Sequence, residues 1–129
     1  MKILVIDNDV SIGITIKAAL ALNASYEVTV CLGAKEGLEE MKKNEYNLVL
    51  LDFMMPGISG VDLCKTMVSD DKLKNIPVIL ISALPITSEV FQKSNDNFNQ
   101  IAVVKGLLEK PFSVAELLGK VSSVLSPTK

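Results

Sequence analysis

Three observations on this chain of 129 residues predict a doubly wound α/β fold built on a parallel sheet. Short apolar runs rich in Val, Ile and Leu recur along it, and the stretches between them carry helical spacing. The runs are also continuously apolar rather than alternating, which marks strands covered on both faces. One domain with a single core is what this length accommodates. An apolar share of 49% against 22% charged residues, with glycines and prolines scattered rather than clustered, excludes the disordered and fibrous classes.

Taken in order, strands are expected near Lys2 to Ile6, Glu27 to Cys31, Leu48 to Leu51, Val78 to Ser82 and Gly106 to Glu109, each followed by a helix. The first helix is read from about Ser11 to Leu22, with Ile12, Ile16, Ala19 and Leu20 inward. The second runs near Ala34 to Lys43, with Ala34, Leu38 and Met41 on one face. A third starts at Ser59, where Asp62 follows a capping hydroxyl by three residues, and buries Leu63, Cys64 and Met67. The last opens on the box Ser113-Val114-Ala115-Glu116 and continues through Leu117, Leu118, Val121, Val124 and Leu125. Between Pro85 and Gln100, Ser94-Asn95-Asp96-Asn97 interrupts the helical pattern, so the fourth helix is expected to be irregular or broken.

Four runs end abruptly in polar residues: Ile3 to Ile6 into Asp7-Asn8-Asp9, Leu48 to Leu51 into Asp52, Val78 to Ile81 into Ser82, and Leu107-Leu108 through Glu109 into Lys110. Asp52 is read as a charged residue that has left the core for a loop. Right-handed crossovers put helices on both faces of such a sheet, and its ligand crevice lies beyond the carboxyl ends of the strands. All four endings fall there.

The remaining composition narrows the chemistry. The net charge of −2, with every positive charge a lysine, leaves no basic face for a phosphate backbone, so no nucleic-acid partner is expected. Histidine and arginine are absent, which removes Ser-His-Asp triads, histidine metal sites, a phosphohistidine donor role and arginine clamps. Cys31 and Cys64 form no C-x-x-C pair and are read as core filling. The run Ile3 to Ile6 is too short for a signal-peptide core and nothing approaches a membrane span, so no membrane partner and a cytoplasmic location are expected.

Were Asp7, Asp9 and Asp52 within about 5 Å of one another, each like-charged pair would cost about 3 kcal/mol at an effective dielectric near 20. Lys110 or a divalent cation must offset that, and oxygen ligands suit a hard ion such as magnesium. No Walker-type loop is present to cradle a nucleotide. An exposed carboxylate, a hydroxyl and an ammonium describe an acyl-phosphate site. In it Asp52 attacks a phosphoryl group, the metal and Lys110 neutralise its oxygens, and Ser82 donates a hydrogen bond.

Four stretches carry a resemblance over essentially the whole chain: Lys2 to Asp9, Leu48 to Gly60, Ile79-Leu80-Ile81-Ser82-Ala83 and Lys110-Pro111-Phe112. In that order they resemble the receiver domain of two-component response regulators, the CheY-like fold. The resemblance implies the flavodoxin-like strand order 2-1-3-4-5. It implies Asp52 as phosphoacceptor, Ser82, Ala83 and Lys110 as phosphoryl contacts, and magnesium held by Asp7, Asn8, Asp52 and the backbone carbonyl of Met54. It also implies a cis Lys110-Pro111 bond, which an X-Pro amide permits.

Three departures stand out. The family usually opens its site with two adjacent acids, and here the second is Asn8, whose amide can ligate magnesium but brings no charge, so weak metal binding is expected. Asp9 is the acid that can compensate, although an acid at that place more often caps the following helix. Leu107 stands three residues before Lys110, where the family often carries a Tyr or Phe that rotates on phosphorylation. The stretch from Ser82 to Lys110 is also a few residues longer than usual, with Val103-Val104 where the family tends to have Gly-Ala.

The expectation is a single receiver domain over 1–125, a short tail over 126–129 and no output domain. It takes phosphate from a histidine kinase or phosphotransfer protein and contacts a separate downstream protein through the face from Ala83 to Gly106. Its chemistry is at most its own phosphorylation and dephosphorylation at Asp52. A pseudo-receiver that binds protein without phosphorylation, because Asn8 weakens the metal site, is the alternative. A small magnesium-dependent phosphohydrolase lacks a general acid or base beyond Asp9.

Overall fold

The computed structural model describes residues 1–53, 60–82 and 103–125. Its strands are β1 (Lys2–Ile6), β2 (Glu27–Cys31), β3 (Leu48–Asp52), β4 (Val78–Ser82) and β5 (Val104–Glu109). Its helices are α1 (Val10–Leu20), α2 (Ala34–Lys43), α3 (Gly60–Val68) and α4 (Val114–Leu125). All four strand pairs are parallel, in the order β2-β1-β3-β4-β5.

The continuous apolarity of the strands has its physical cause in two separate cores. Along β1, Leu4 and Ile6 pack on one side with Cys31, Ala34, Met41, Leu63, Cys64 and Met67, the side covered by α2 and α3. Ile3 and Val5 pack on the other side with Ile16, Ala19, Leu20, Leu117 and Val121 from α1 and α4. The same alternation runs through Val49 and Leu51 against Leu48 and Leu50, as the strand period of two requires. Complete burial of residues such as Leu50 and Ile79 contributes about 1.5–3 kcal/mol each. The helices are therefore on both faces, as the sequence predicts.

Element ends differ from expectation in instructive places. Strand β3 extends through Asp52, which stays in register with Ile81 of β4, while Phe53 N–H donates to the Ile81 carbonyl at 2.8 Å. Strand β5 begins at Val104 rather than Gly106, because a register shift between Val78 and Ile79 lets Lys105 stand as an extra residue in the ladder. Helix α1 starts at Val10 and stops at Leu20, where the Leu22 N–H turns back to the Ala19 carbonyl and leaves Leu22 exposed. The box at the start of α4 forms: Glu116 N–H donates to Ser113 Oγ at 3.0 Å, and Ser113 N–H to Glu116 Oε1 at 3.2 Å. The start of α3 at Ser59, the irregular stretch from Pro85 to Gln100 and the tail over 126–129 lie outside the described residues.

One close approach sets how α2 lies on the sheet. A Cβ at Gly37 would collide with the Ile6 side chain, so the bare backbone lets α2 settle directly over the end of β1. Among the described residues no helix is long and apolar enough to cross a membrane.

Candidate functional site

Because the strands are parallel, their carboxyl ends fall at one edge of the sheet, and registry brings β1, β3, β4 and β5 level there. Ile6 lies beside Leu51, Asp52 beside Ile81, and Ser82 beside Glu109. Asp7, Asp52, Ser82 and Lys110 therefore occupy the next positions along neighbouring strands. Backbone bonds hold them: Asp7 N–H donates to the Cys31 carbonyl at 3.1 Å and Lys110 N–H to the Ser82 carbonyl at 2.7 Å.

Asp52 is not in an exposed loop, as its position after an apolar run suggested. It ends β3 with only 5% of its surface exposed, beside Ser82 at 3% and Asp7 at 0%. Continued pairing with β4 keeps it in the sheet. A carboxylate so placed needs a positive partner.

Lys110 supplies it. Its Nζ donates to Asp7 Oδ2 at 3.0 Å and lies 3.9 Å from Asp52 Oδ2, with the lysine side chain only 16% exposed. The tighter contact is with Asp7. The other oxygen of that carboxylate, Oδ1, accepts the Asp9 N–H at 2.9 Å.

Asn8 and Asp9 are exposed at the rim. Asp9 Oδ1 accepts the backbone N–H groups of Ser11 at 2.9 Å and Ile12 at 3.4 Å, making it the N-cap of α1. Its backbone orients Asp7 while its side chain starts the helix. The first of these roles is invisible to side-chain reasoning, since any residue but proline has an N–H to give. Lys110-Pro111 is cis. Leu107 is half-buried against the core on the α2 and α3 side. Met54 and Ala83 lie outside the described residues.

The donor chemistry fits a hard divalent ion. Two buried carboxylates share one ammonium, the exposed Asn8 follows Asp7 in the chain, and magnesium typically takes one or two carboxylates with water completing its shell. Among the described residues no group of three carboxylate, thiol or imidazole donors gathers. Among the described residues, Asp7 and Asp52 are the buried carboxylates, and Lys110 already opposes both.

The thiols take no part. Burial pushes Cys64 up to about 12, and burial with the nearby Glu36 and Glu40 carboxylates pushes Cys31 up to about 11. Both stay neutral at ordinary pH and serve as apolar filling, so neither is a nucleophile.

A family model described as the response regulator receiver domain matches residues 3–122. Chemotaxis protein CheY-3 of Vibrio cholerae is 31% identical over 127 residues, covering 96% of this chain and 91% of that protein. Regulatory protein VanRB of Enterococcus faecalis is 31% identical over 129 residues, and there the match covers 97% of this chain and 52% of the relative. Among solved structures, the receiver domain of Francisella response regulator 1452 superposes with a TM-score of 0.81 at 32% identity, covering 99% of this chain and 98% of that one. Receiver domains act in two-component signalling with histidine kinases or phosphotransfer proteins, and generally bind magnesium at the phosphorylation site. With its strand order and the polar ends of its strands matching a domain found over nearly its whole length, this chain belongs to the response regulator receiver family.

Proposed function

We propose that the chain accepts a phosphoryl group on Asp52 from a histidine kinase or phosphotransfer protein, and passes the signal on through a phosphorylation-dependent protein contact. The observation that carries the reading is the buried Asp52 carboxylate at the end of β3, with the Lys110 ammonium 3.9 Å from its Oδ2 and Asp7 across the same ammonium. A carboxylate held so is a nucleophile with its counter-charge already in place.

In the transfer, an Asp52 oxygen bonds to phosphorus as the P–N bond to the donor imidazole breaks. The electron pair leaves with the imidazole nitrogen, which takes a proton from solvent, and Asp52 becomes an acyl phosphate. Lys110 neutralises one phosphoryl oxygen, and Ser82, with Ala83 after it, hydrogen-bonds another. Asp7, Asn8, Asp52 and the Met54 backbone carbonyl would hold magnesium, which would supply the remaining positive charge. The phosphoryl group enters from the rim, where Asn8 and Asp9 are exposed.

The reading is of a cytoplasmic receiver, with the output surface on the stretch from Ala83 to Gly106. The pseudo-receiver alternative draws on one observation, the neutral Asn8 beside Asp7. Incubation with a small-molecule phosphodonor and magnesium, read by intact mass, separates the two. Addition of a single phosphoryl group supports phosphoacceptance, and no addition at any magnesium concentration favours the pseudo-receiver.

A further inference from the structure

The two edges of the sheet are not alike. Strand β5 is blunted by the exposed Lys105 and by its register shift against β4. Strand β2, at the other edge, pairs with β1 in unbroken register, and Val28-Thr29-Val30 along its middle are uncharged and half-buried. Glu27 N–H donates to the Met1 carbonyl at 2.8 Å, and the Cys31 carbonyl accepts the Asp7 N–H at 3.1 Å. Glu27, Thr29 and Cys31 are thus the residues whose backbone faces β1. The N–H and C=O groups of Val28 and Val30 point out from the edge, where among the described residues no backbone partner meets them.

Helix α1 extends this unprotected surface. A surface helix ordinarily turns charge outward, as α2 does with Lys35, Glu36 and Glu39. In α1 Lys17 is the only charged residue, and Val10 and Ile14, one turn apart, are 54% and 64% exposed. Together with Leu32, 46% exposed, they line a groove that runs along the β2 edge.

We propose that this edge pairs with β2 of a second copy of the chain, antiparallel about a two-fold axis through Thr29. The strand reads Val-Thr-Val about that point. Val28 of each copy then stands opposite Val30 of the other, their outward N–H and C=O groups exchanging hydrogen bonds, and Thr29 meets Thr29. The register is self-complementary, as a two-fold contact requires.

Helix spacing agrees with the same arrangement. Helix α1 packs over both β1 and β2: Ile16 and Leu20 share a core with Ile3 and Val5, and a Cβ on Gly13 would stand 2.7 Å from Val30 Cγ1. One continuous sheet sets the two copies of α1 about two strand spacings apart, or roughly 9.5 Å. Packed helices lie about 8–10 Å apart, so Val10 and Ile14 of both copies fill the seam between them. The two Lys17 side chains fall at opposite ends of that seam and do not meet. An extended peptide from another protein would use the edge but neither the symmetry of the strand nor the apolar side of α1. One short strand and one side of a helix make a contact smaller than the roughly 20–30 residues a side of a standard interface. A reversible dimer with a Kd on the order of 10–100 μM is expected.

Sedimentation velocity on the full chain, from about 5 to 500 μM to bracket that Kd, tests this without any variant. The wild type is expected to pass from monomer to dimer across the range, and a monomer throughout overturns the proposal. Ile14→Lys should weaken the dimer at least about tenfold by placing charge in the seam. Val68→Lys, an equal charge change at an exposed position on α3, should stay within about twofold. An unweakened Ile14→Lys, or equal loss in both, overturns the proposal.

Cross-linking reads the two-fold axis itself. Directly opposed residues of a non-hydrogen-bonded pair have Cα atoms about 4.5 Å apart, within the roughly 4.4–6.8 Å of a disulfide. With oxidised glutathione at dimer-forming concentration, Thr29→Cys should therefore yield a covalent dimer. The wild type, whose two thiols are buried, and Lys105→Cys on the opposite edge should not. No covalent dimer in Thr29→Cys, or as much in Lys105→Cys, overturns the strand pairing. No phosphodonor enters either experiment, so both outcomes are independent of whether Asp52 is phosphorylated.

Discussion

Lys110 Nζ lies 3.0 Å from Asp7 Oδ2, a contact between residues 103 apart in sequence that ties the end of β5 to the end of β1. Between them lie β3 and β4, which bring Asp52 and Ser82 to the same edge.

Asn8→Asp should tighten magnesium binding by about tenfold, because it adds a full charge to the rim beside Asp7. Without metal the same substitution should lower the melting temperature through repulsion, with magnesium restoring it. Calorimetry and melting curves at several magnesium concentrations report both effects. Unchanged affinity would remove Asn8 from the ion's contacts.

Asp9 separates charge from capping. Asp9→Asn preserves the acceptor for Ser11 and Ile12, so stability should hold, while Asp9→Ala should cost about 1 kcal/mol as α1 loses its cap. Magnesium affinity in Asp9→Asn should change by less than about threefold, since an exposed charge outside the ion's contacts is screened. A larger loss would make Asp9 a compensating ligand rather than a cap.

Gly37→Ala tests the seating of α2. The added methyl collides with Ile6, the residue before Asp7, and overpacking of this kind costs about 1–3 kcal/mol. Better helix propensity returns about 1 kcal/mol, so a net loss is expected in chemical denaturation. A gain in stability would show that Ile6 moves aside freely.

The buried thiols set an alkaline limit. Cys31 at about 11 and Cys64 at about 12 lie above the value of about 8.5 for an exposed thiol, so above that value the unfolded chain binds fewer protons than the native one. Their stabilisation is complete below pH about 8.5 and is lost as pH rises through the folded values. The stability difference between the wild type and Cys64→Ala should therefore shrink from pH about 9 upward. A difference independent of pH across that window contradicts the assignment.

Much of this architecture was legible because parallel strands buried on both faces must be apolar at every position, as Ile3 to Ile6 and Leu48 to Leu51 are. The paired box at Ser113 and Glu116 was equally legible, since it is a local arrangement of two side chains. Burial of Asp52 was not, because an aspartate after an apolar run reads the same whether neighbours close over it or solvent does. The start of β5 was hidden by Lys105-Gly106, a pair that looks like the end of a loop and instead sits within a shifted ladder. Which carboxylate Lys110 prefers turns on a difference between 3.0 and 3.9 Å, set by the register of separate strands rather than by sequence spacing.

The most direct test of Asp52 as phosphoacceptor is chemical mapping of the modified side chain. The protein is incubated with a phosphodonor and magnesium, reduced with borohydride, digested and sequenced by mass spectrometry. Reduction of an acyl phosphate at Asp52 leaves homoserine at that position, absent without donor and absent in Asp52→Asn. Homoserine at another aspartate, or none anywhere after full exposure to donor, contradicts the account.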